Sequence, residues 1–183
     1  MSGTWIGLGL LALLVIYIIA IYNKLVRQRT MADEAWSGVD VQLKRRANLV
    51  PNLVETVKGY AAHEQGVFED LARARAASLG ADSVKQQAEA ETMMGGVLGR
   101  LFAVAEAYPD LKADARFGDL QRELSELEQA IEMARRYYNG TVRDLNVTID
   151  SFPSNLVAGQ FKFEKKEFFE IDEAARALPE VKF

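Results

Sequence analysis

The sequence predicts an all-α protein with an N-terminal transmembrane helix, a long up-and-down four-helix bundle and an extended, aromatic-rich C-terminal tail. Three observations predict this fold class. Residues 1–23 carry no charged side chain, although the 183-residue chain has 22 Lys plus Arg and 26 Asp plus Glu. Apolar residues recur at helical spacing through most of the remaining chain, and strand signals are nearly absent before residue 147. Six of the nine phenylalanines lie in residues 152–183.

The first predicted element is a membrane anchor at residues 5–23, after a short extension at residues 1–4. From Trp5 to Tyr22 the chain has 18 consecutive uncharged residues. As a helix this stretch is about 27 Å long, close to the thickness of a hydrocarbon core. Trp5 and Tyr22 mark its two ends, where aromatic side chains favour the membrane interface, and Tyr17 is counted with the anchor.

The flanks of the anchor predict how it is processed and oriented. A cleaved signal peptide is disfavoured, because residues 1–4 contain no basic residue and no small-x-small site follows Ala20. Lys24, Arg27 and Arg29 come directly after the apolar stretch, whereas no basic residue precedes it. The positive-inside rule therefore predicts a single-pass membrane protein whose N-terminus lies outside and whose remaining domain is cytoplasmic.

Residues 24–150 are predicted to form the bundle, because four apolar stripes follow one another at steps of three and four. The fourth stripe has the a/d spacing of a coiled coil. In chain order the stripes are Trp36, Val39 and Leu43; Leu53, Val57, Tyr60, Val67 and Leu71; Met94, Val97 or Leu98, Leu101 and Ala105; and Leu120, Leu124, Leu127, Ile131, Ala134 and Tyr138.

The breaks between these helices are marked by proline and glycine. Pro51 predicts either a kink in one long helix or a turn that opens the next helix at its first position. Gly80 followed by Ala81-Asp82-Ser83 indicates a helix C-cap and then an N-cap, and Pro109 indicates the junction of the third and fourth helices. Three glycines in the third helix are expected to allow close packing of a neighbouring helix: Gly95, Gly96 and Gly99.

Residues 151–183 are predicted to form a tail that packs on the bundle or on a neighbour, because disordered tails are poor in aromatic residues. Phe161 and Phe163 alternate with polar residues, a pattern typical of an extended segment. Packing on the chain's own bundle is one interpretation; docking on another subunit or protein is the other. The side chains predicted to make oligomer or partner contacts are Phe152, Phe161, Phe163, Phe168 and Phe169.

Composition excludes several classes of function. A net charge of −4 and a pI near 5.2 argue against nucleic-acid binding, which needs a basic face. The chain has no cysteine and one histidine, so disulfides, thiolate zinc sites and cysteine nucleophiles are absent and a histidine-based triad is disfavoured. No phosphate-binding loop or nucleophile-elbow motif occurs. We therefore predict no catalytic residue, cofactor or metal.

The order and content of these segments resemble the LemA family. The resemblance extends over essentially the whole chain. The blocks that carry it are Tyr22-Asn23 with Lys24-Leu25-Val26; Trp36 and Val39; residues 45–60 (RRANLVPNLVETVKGY); residues 101–111 (LFAVAEAYPDL); Phe117, Leu120, Glu123-Leu124, Glu128 and Ile131; and Arg136, Tyr138-Asn139, Asn146, Phe152-Pro153 and Phe168-Phe169.

The resemblance implies an N-terminal membrane helix on a long four-helix bundle, with no established enzymatic activity. Some relatives resemble factors that shape or form intracellular membranes in magnetosome-bearing bacteria, and others accompany membrane proteases. Some members carry a lipid-attachment cysteine, which this chain lacks. An uncleaved anchor is therefore expected here.

The sequence thus favours a membrane-anchored, non-enzymatic scaffold that self-assembles, with the lipid bilayer and other copies of the chain as its partners. The alternative is an adaptor or regulator of a membrane protease or transporter, which requires a membrane-protein partner. An enzyme with carboxylate-only chemistry is a third class. That class requires several buried acidic side chains to converge in one pocket.

Overall fold

The computed structural model describes residues 2–170, with side chains from residue 3, and these residues are mostly helical. No strand occurs among them, so the all-α class is confirmed, together with a long apolar N-terminal helix. The up-and-down four-helix arrangement stays a prediction. The helices are α1 (Ser2–Lys58), α2 (Gln65–Leu79), α3 (Val84–Ala107), α4 (Pro109–Lys112), α5 (Ala115–Asp150) and α6 (Ser154–Gln160).

The described residues cluster into two compact units. The first contains residues 2–37 and 136–168, and the second contains residues 38–135 and 169–170, so α1 and α5 supply residues to both. The first unit has a small core built by α1, α5 and α6. Its buried members are Leu25, Leu145, Ile149, Val157 and Ala158, and Ile18, Ile21 and Phe163 pack against them.

The second unit has the larger core, to which α1, α2, α3, α4 and α5 all contribute. The predicted stripes supply most of it, which is the expected result of apolar side chains at helical spacing. Its caps also match the sequence: Gly80 ends α2, and the Ser83 hydroxyl accepts a hydrogen bond of 3.2 Å from the Gln86 backbone N–H at the start of α3. The fully buried members are Leu53, Val57, Leu71, Ala74, Met94, Leu101 and Leu111.

Pro51 does not open a new helix, so that alternative was wrong: α1 continues through it to Lys58. A proline cannot donate to the carbonyl four residues earlier, which is that of Ala47. In this protein the Nε of Arg75, on α2, donates to the Ala47 carbonyl oxygen at 2.8 Å. The chain leaves the helix after Lys58 instead, so the predicted second stripe is divided between α1 and α2.

Two further expectations need correction. The tail is not wholly extended, because Ser154–Gln160 form α6, while residues 163–170 have no helix or strand. The three glycines of α3 do not accommodate a neighbouring helix within the described residues, since a Cβ atom added to Gly95, Gly96 or Gly99 would meet no atom within 4 Å. They lie on an exposed face of α3.

Candidate membrane-facing site

Most of the anchor is an exposed apolar helix surface and not part of a protein core. The described residues contain one helix that is long and apolar enough to cross a membrane. Only 6% of its most apolar 18-residue stretch is buried. Trp5, Tyr17 and Tyr22 are all exposed along it. A water-soluble core helix would be largely buried, whereas residues 3–17 are all exposed, so this part of α1 is suited to a lipid environment.

The basic residues predicted at the end of the anchor lie on consecutive turns of α1. Lys24, Arg27 and Arg29 are exposed. The Arg29 guanidinium also lies over the ring of Phe163, 5.3 Å from its centroid, a cation–π contact. This end of the apolar stretch therefore contacts the C-terminal segment. The three basic side chains of α1 remain accessible to anionic groups.

The C-terminal segment packs on the same end of the anchor. The Tyr22 ring contacts Phe161 edge-on with centroids 4.8 Å apart, and Phe163 with centroids 5.7 Å apart. Of the other predicted contact residues, Phe152 and Phe168 are exposed and Phe169 is fully buried. The structure thus brings Phe161 and Phe163 together with Tyr22. An oligomer or partner role for the five phenylalanines stays a prediction.

Residues after α6 are held along the first unit by polar contacts. The Asn146 side chain both donates to the Lys166 carbonyl, at 2.9 Å, and accepts from the Lys166 N–H, at 3.0 Å. The Lys166 ammonium pairs with Asp33 at 2.7 Å. One amide therefore satisfies both backbone groups of Lys166, which fixes the segment as a neighbouring strand would.

Tyr138 provides a second fastening point. Its hydroxyl donates to the Glu167 carbonyl oxygen at 2.9 Å, and its ring packs on Trp36 with centroids 5.1 Å apart. Burial raises the pKa of Tyr138 to about 12, and the nearby charges of Glu167 and Asp33 act in the same direction. The phenol is therefore a stable neutral donor at physiological pH.

A groove of about 360 Å³ lies between the anchor and α6. Leu14, Ile18 and Ile21 of α1 form one wall, and Leu156 and Val157 of α6 form the other. The lining is mostly apolar and the groove is open to the surroundings. An arrangement of this kind can accept a hydrocarbon chain, and Tyr17 and Gln160 are the polar side chains in its lining.

The second unit contains a polar groove of about 560 Å³, but its acidic side chains do not form a buried cluster. Glu123 and Glu126 line it, and both are exposed. Within residues 2–170 no group of three or more Asp, Glu, His or Cys side chains is placed to hold a metal ion. The groove therefore lacks the convergent buried carboxylates that the third functional class requires.

The buried acid of the second unit is engaged in a structural network instead. Glu91 is paired with Arg46, and it accepts hydrogen bonds from the Ser78 hydroxyl at 3.2 Å and from the Gln87 amide at 3.3 Å. Arg46 also pairs with Glu128 at 2.7 Å. Arg46 balances the charge of Glu91 and pairs with one carboxylate oxygen, while Ser78 and Gln87 donate to the other. Both oxygens are thus engaged within the core.

Sequence reasoning missed the role of α6 in this site. Leu156 and Val157 line the groove, but the prediction considered only the phenylalanines around them. A signal was present: residues 151–161 are a second stretch without a charged side chain, bounded by Asp150 and Lys162. Its position directly after the longest amphipathic helix was compatible with a short helix as well as with an extended tail.

The family model for the LemA family matches residues 35–183. The chain belongs to the LemA family. The match begins after the apolar stretch, so the anchor is argued from this chain's own residues. The matched range includes Arg46 of the buried ion pair and both fastening points, Asn146 and Tyr138.

Curated relatives of this LemA-family chain are similar along most of its length. "Magnetosome protein MamQ 2" of Paramagnetospirillum magneticum is 25% identical over 175 residues, which cover 81% of this chain and 64% of the relative. "Magnetosome protein MamQ" of Magnetospirillum gryphiswaldense is also 25% identical, with the same coverage. "Protein LemA" of Metamycoplasma hominis is 26% identical over 155 residues, covering 84% of this chain and 71% of the relative. The chain thus spans somewhat less than two thirds of the length of the magnetosome relatives.

Proposed function

We propose that this chain is a membrane-anchored, non-enzymatic scaffold that self-assembles at the bacterial inner membrane and organises membrane or protein partners from the cytoplasmic side. The observation that carries the proposal is α1, a single helix of 57 residues whose residues 3–17 are mostly apolar and all exposed. Such a helix needs lipid around its first part, while its later residues build a protein core.

The rest of the molecule supports a structural role. Among the described residues the buried Glu91 pairs with Arg46, and the two carboxylates that line the larger groove, Glu123 and Glu126, are exposed. Membership of the LemA family adds support, because the resemblance implies a membrane helix without established enzymatic activity. Because some relatives are named magnetosome proteins, we also propose that the chain acts in assembling a membrane-bound structure.

Self-assembly is tested by the mass of the full chain in mild detergent and in lipid nanodiscs. Light scattering should give a protein mass well above the 20.4 kDa of one chain. A strictly monomeric mass in both environments would overturn the scaffold. A heterologous membrane-protein partner, as an adaptor requires, is tested by crosslinking in native membranes, where recovery of self-contacts alone supports the scaffold.

A matched pair of variants tests whether the tail takes part in assembly. Phe168→Ser and Tyr137→Ser each remove an exposed aromatic side chain from the first unit. If the tail contributes, Phe168→Ser lowers the assembled fraction and Tyr137→Ser does not. Point substitutions are preferable to deletion of residues 152–183, because that deletion would also uncover Leu25 and Leu145 in the core of the first unit.

A further inference from the structure

We propose that residues 151–161 form a second membrane-contacting element, which lies in the interfacial layer of the bilayer and places Phe152, Leu156 and Phe161 against lipid. This inference rests on the proposed membrane anchor and extends it. In place of a protein contact for Phe152 and Phe161, it assigns the lipid bilayer itself as the partner. The segment includes α6 and the residues that flank it on both sides.

The contacts of α6 fix its depth relative to the anchor. Val157 shares a buried cluster with Leu25, while Ile18 and Ile21 pack against the same cluster. Phe161 contacts Tyr22. The segment therefore lies beside the last turns of the apolar stretch rather than beyond them. At 1.5 Å per residue, Ile18 lies about 6 Å from Tyr22 into the apolar stretch, so a bilayer that surrounds the anchor must also meet α6.

The outer face of the segment presents three large apolar side chains beside the exposed and uncharged Ser151, Asn155, Gly159 and Gln160. Phe152, Leu156 and Phe161 are 80%, 64% and 52% exposed, respectively. Residues 151–161 contain no charged side chain. Exposed aromatic and leucine side chains in water cost free energy, whereas at a bilayer surface they are the side chains that anchor interfacial helices. The exposed face is continuous with the lipid-facing surface of the anchor.

Charges border the segment on the side away from the apolar stretch. Lys24, Arg27 and Arg29 follow the anchor and Lys162 follows the segment, while Lys165 pairs with Asp150, which precedes the segment, at 2.7 Å. The basic side chains at this level match the anionic head groups of a bilayer. An interfacial element is expected to place its apolar residues toward the hydrocarbon layer and its cations toward the head groups.

The groove between the anchor and α6 supports lipid as the occupant. Its walls are supplied by Leu14, Ile18, Leu156 and Val157, and it has a volume of about 360 Å³. An open apolar groove beside a membrane helix is filled by acyl chains when the helix is in a bilayer. A second copy of the chain is the competing occupant, and the experiment below distinguishes the two.

The wild-type chain contains no cysteine, so single cysteines can be labelled without any other change. We would introduce Phe152→Cys and Leu156→Cys in the full chain, attach a nitroxide spin label and reconstitute the protein in vesicles of phosphatidylcholine and phosphatidylglycerol. Collision rates with oxygen, which concentrates in lipid, and with a water-soluble nickel chelate report the surroundings of each label. Leu10→Cys is the control for lipid and Tyr137→Cys the control for water.

The controls are matched in exposure to the tested positions. Leu10 and Tyr137 are both more than half exposed. Tyr137 adjoins Tyr138, which packs on Trp36, 14 residues or about 21 Å along α1 from Tyr22. Circular dichroism of each labelled protein would check that its helix content equals that of the wild type.

The inference expects an oxygen-to-nickel collision ratio severalfold higher at residues 152 and 156 than at residue 137, approaching that at residue 10. A water-like ratio at 152 and 156, with a lipid-like ratio at 10, would overturn it and leave the anchor intact. Low collision rates with both reagents at 152 and 156 would indicate a protein cover and would also overturn it. A water-like ratio at residue 10 would overturn the anchor and this inference together.

Discussion

The Nε of Arg75 donates a 2.8 Å hydrogen bond to the carbonyl oxygen of Ala47, the acceptor that Pro51 leaves without a helical donor. Ala47 is almost completely buried, so water cannot easily replace the missing partner. A side chain from α2 therefore allows α1 to continue through a proline. This contact also joins two helices of the second unit at the point where the backbone ladder is interrupted.

Replacing Arg75 by methionine is expected to destabilise the fold by about 1–3 kcal/mol, because the Ala47 carbonyl would be buried without a donor. Pro51→Ala should restore the backbone N–H, and in that background Arg75→Met should cost less than about 1 kcal/mol. The energetic coupling between the two positions is measured by urea unfolding in detergent, followed by circular dichroism. The four proteins compared are the wild type, Arg75→Met, Pro51→Ala and the double variant. Arg73→Met, on the exposed side of α2, should leave the unfolding midpoint near that of the wild type. Equal effects of Arg75→Met in both backgrounds would refute the compensation.

The ion pair of Arg46 and Glu91 predicts a second asymmetric set of effects. Both side chains are less than 5% exposed. Arg46→Met should lower the free energy of unfolding by about 3–5 kcal/mol, because it leaves Glu91 buried and charged without a cation. The double substitution Arg46→Met with Glu91→Leu should recover most of that loss.

The matched control for this pair lies on the same helix. Lys44 pairs with Asp40 at 2.6 Å, but both side chains are largely exposed, so Lys44→Ala should change the free energy of unfolding by less than about 1 kcal/mol. The same urea titration serves all the variants. If the double variant is as unstable as Arg46→Met alone, the instability comes from lost packing and not from the unpaired carboxylate.

The sequence was sufficient for the long apolar N-terminal helix and for most of the core, because both depend on local patterns. It was also sufficient to place Arg46 in the core, although we did not draw that conclusion: residues 39, 43, 46, 50, 53 and 57 continue one stripe at steps of three and four. The path through Pro51 could not be predicted in the same way. Its compensation comes from Arg75, 24 residues later, and is a tertiary contact without a local signal.

The candidate site was only partly predictable for a similar reason. The charge-free block identified the anchor, and the cluster of phenylalanines identified the segment that packs on it. The position of that segment along α1 depends on the contacts that Val157 and Phe161 make with it. These are tertiary contacts, which the spacing of apolar residues in the sequence does not predict. A helix of seven residues is also too short for its apolar spacing to distinguish it from an extended tail.

Tyr138 predicts a specific response to alkaline pH. Because burial raises its pKa in the folded chain to about 12, its contribution to stability is complete below the unfolded value near 10 and is lost as pH rises toward 12. Tyr138→Phe should lower the free energy of unfolding by about 1 kcal/mol at neutral pH, since the Glu167 carbonyl loses its donor.

The pH dependence is measured as the difference in unfolding free energy between wild type and Tyr138→Phe. That difference should stay constant up to about pH 10, then fall as pH rises, and change sign before pH 12, because a rise of about two pKa units outweighs a hydrogen bond of about 1 kcal/mol. Taking the difference removes the titration of other groups common to both proteins. A difference that is constant through pH 12 would contradict the assigned burial of the phenol.

The end of α6 predicts a stabilising substitution. The Phe163 N–H donates to the Ala158 carbonyl at 2.9 Å and the Lys162 N–H to the Gly159 carbonyl at 3.3 Å, which is the hydrogen-bond pattern of a Schellman motif. Lys162 occupies the left-handed position of that motif with a φ of 54°. Glycine adopts this conformation without the clash of a Cβ atom, so Lys162→Gly should stabilise the chain by about 0.5–1 kcal/mol.

Lys162→Ala is the matched control, because it removes the same charge and side chain but keeps the Cβ atom. We expect the glycine variant to unfold at a higher urea concentration than the alanine variant, and hydrogen exchange of the Phe163 amide to slow only in the glycine variant. Since Phe163 packs against the cluster that holds Leu25 and Val157, firmer closure of α6 should also strengthen its attachment to the anchor. Identical behaviour of the two variants would show that the left-handed residue carries no strain.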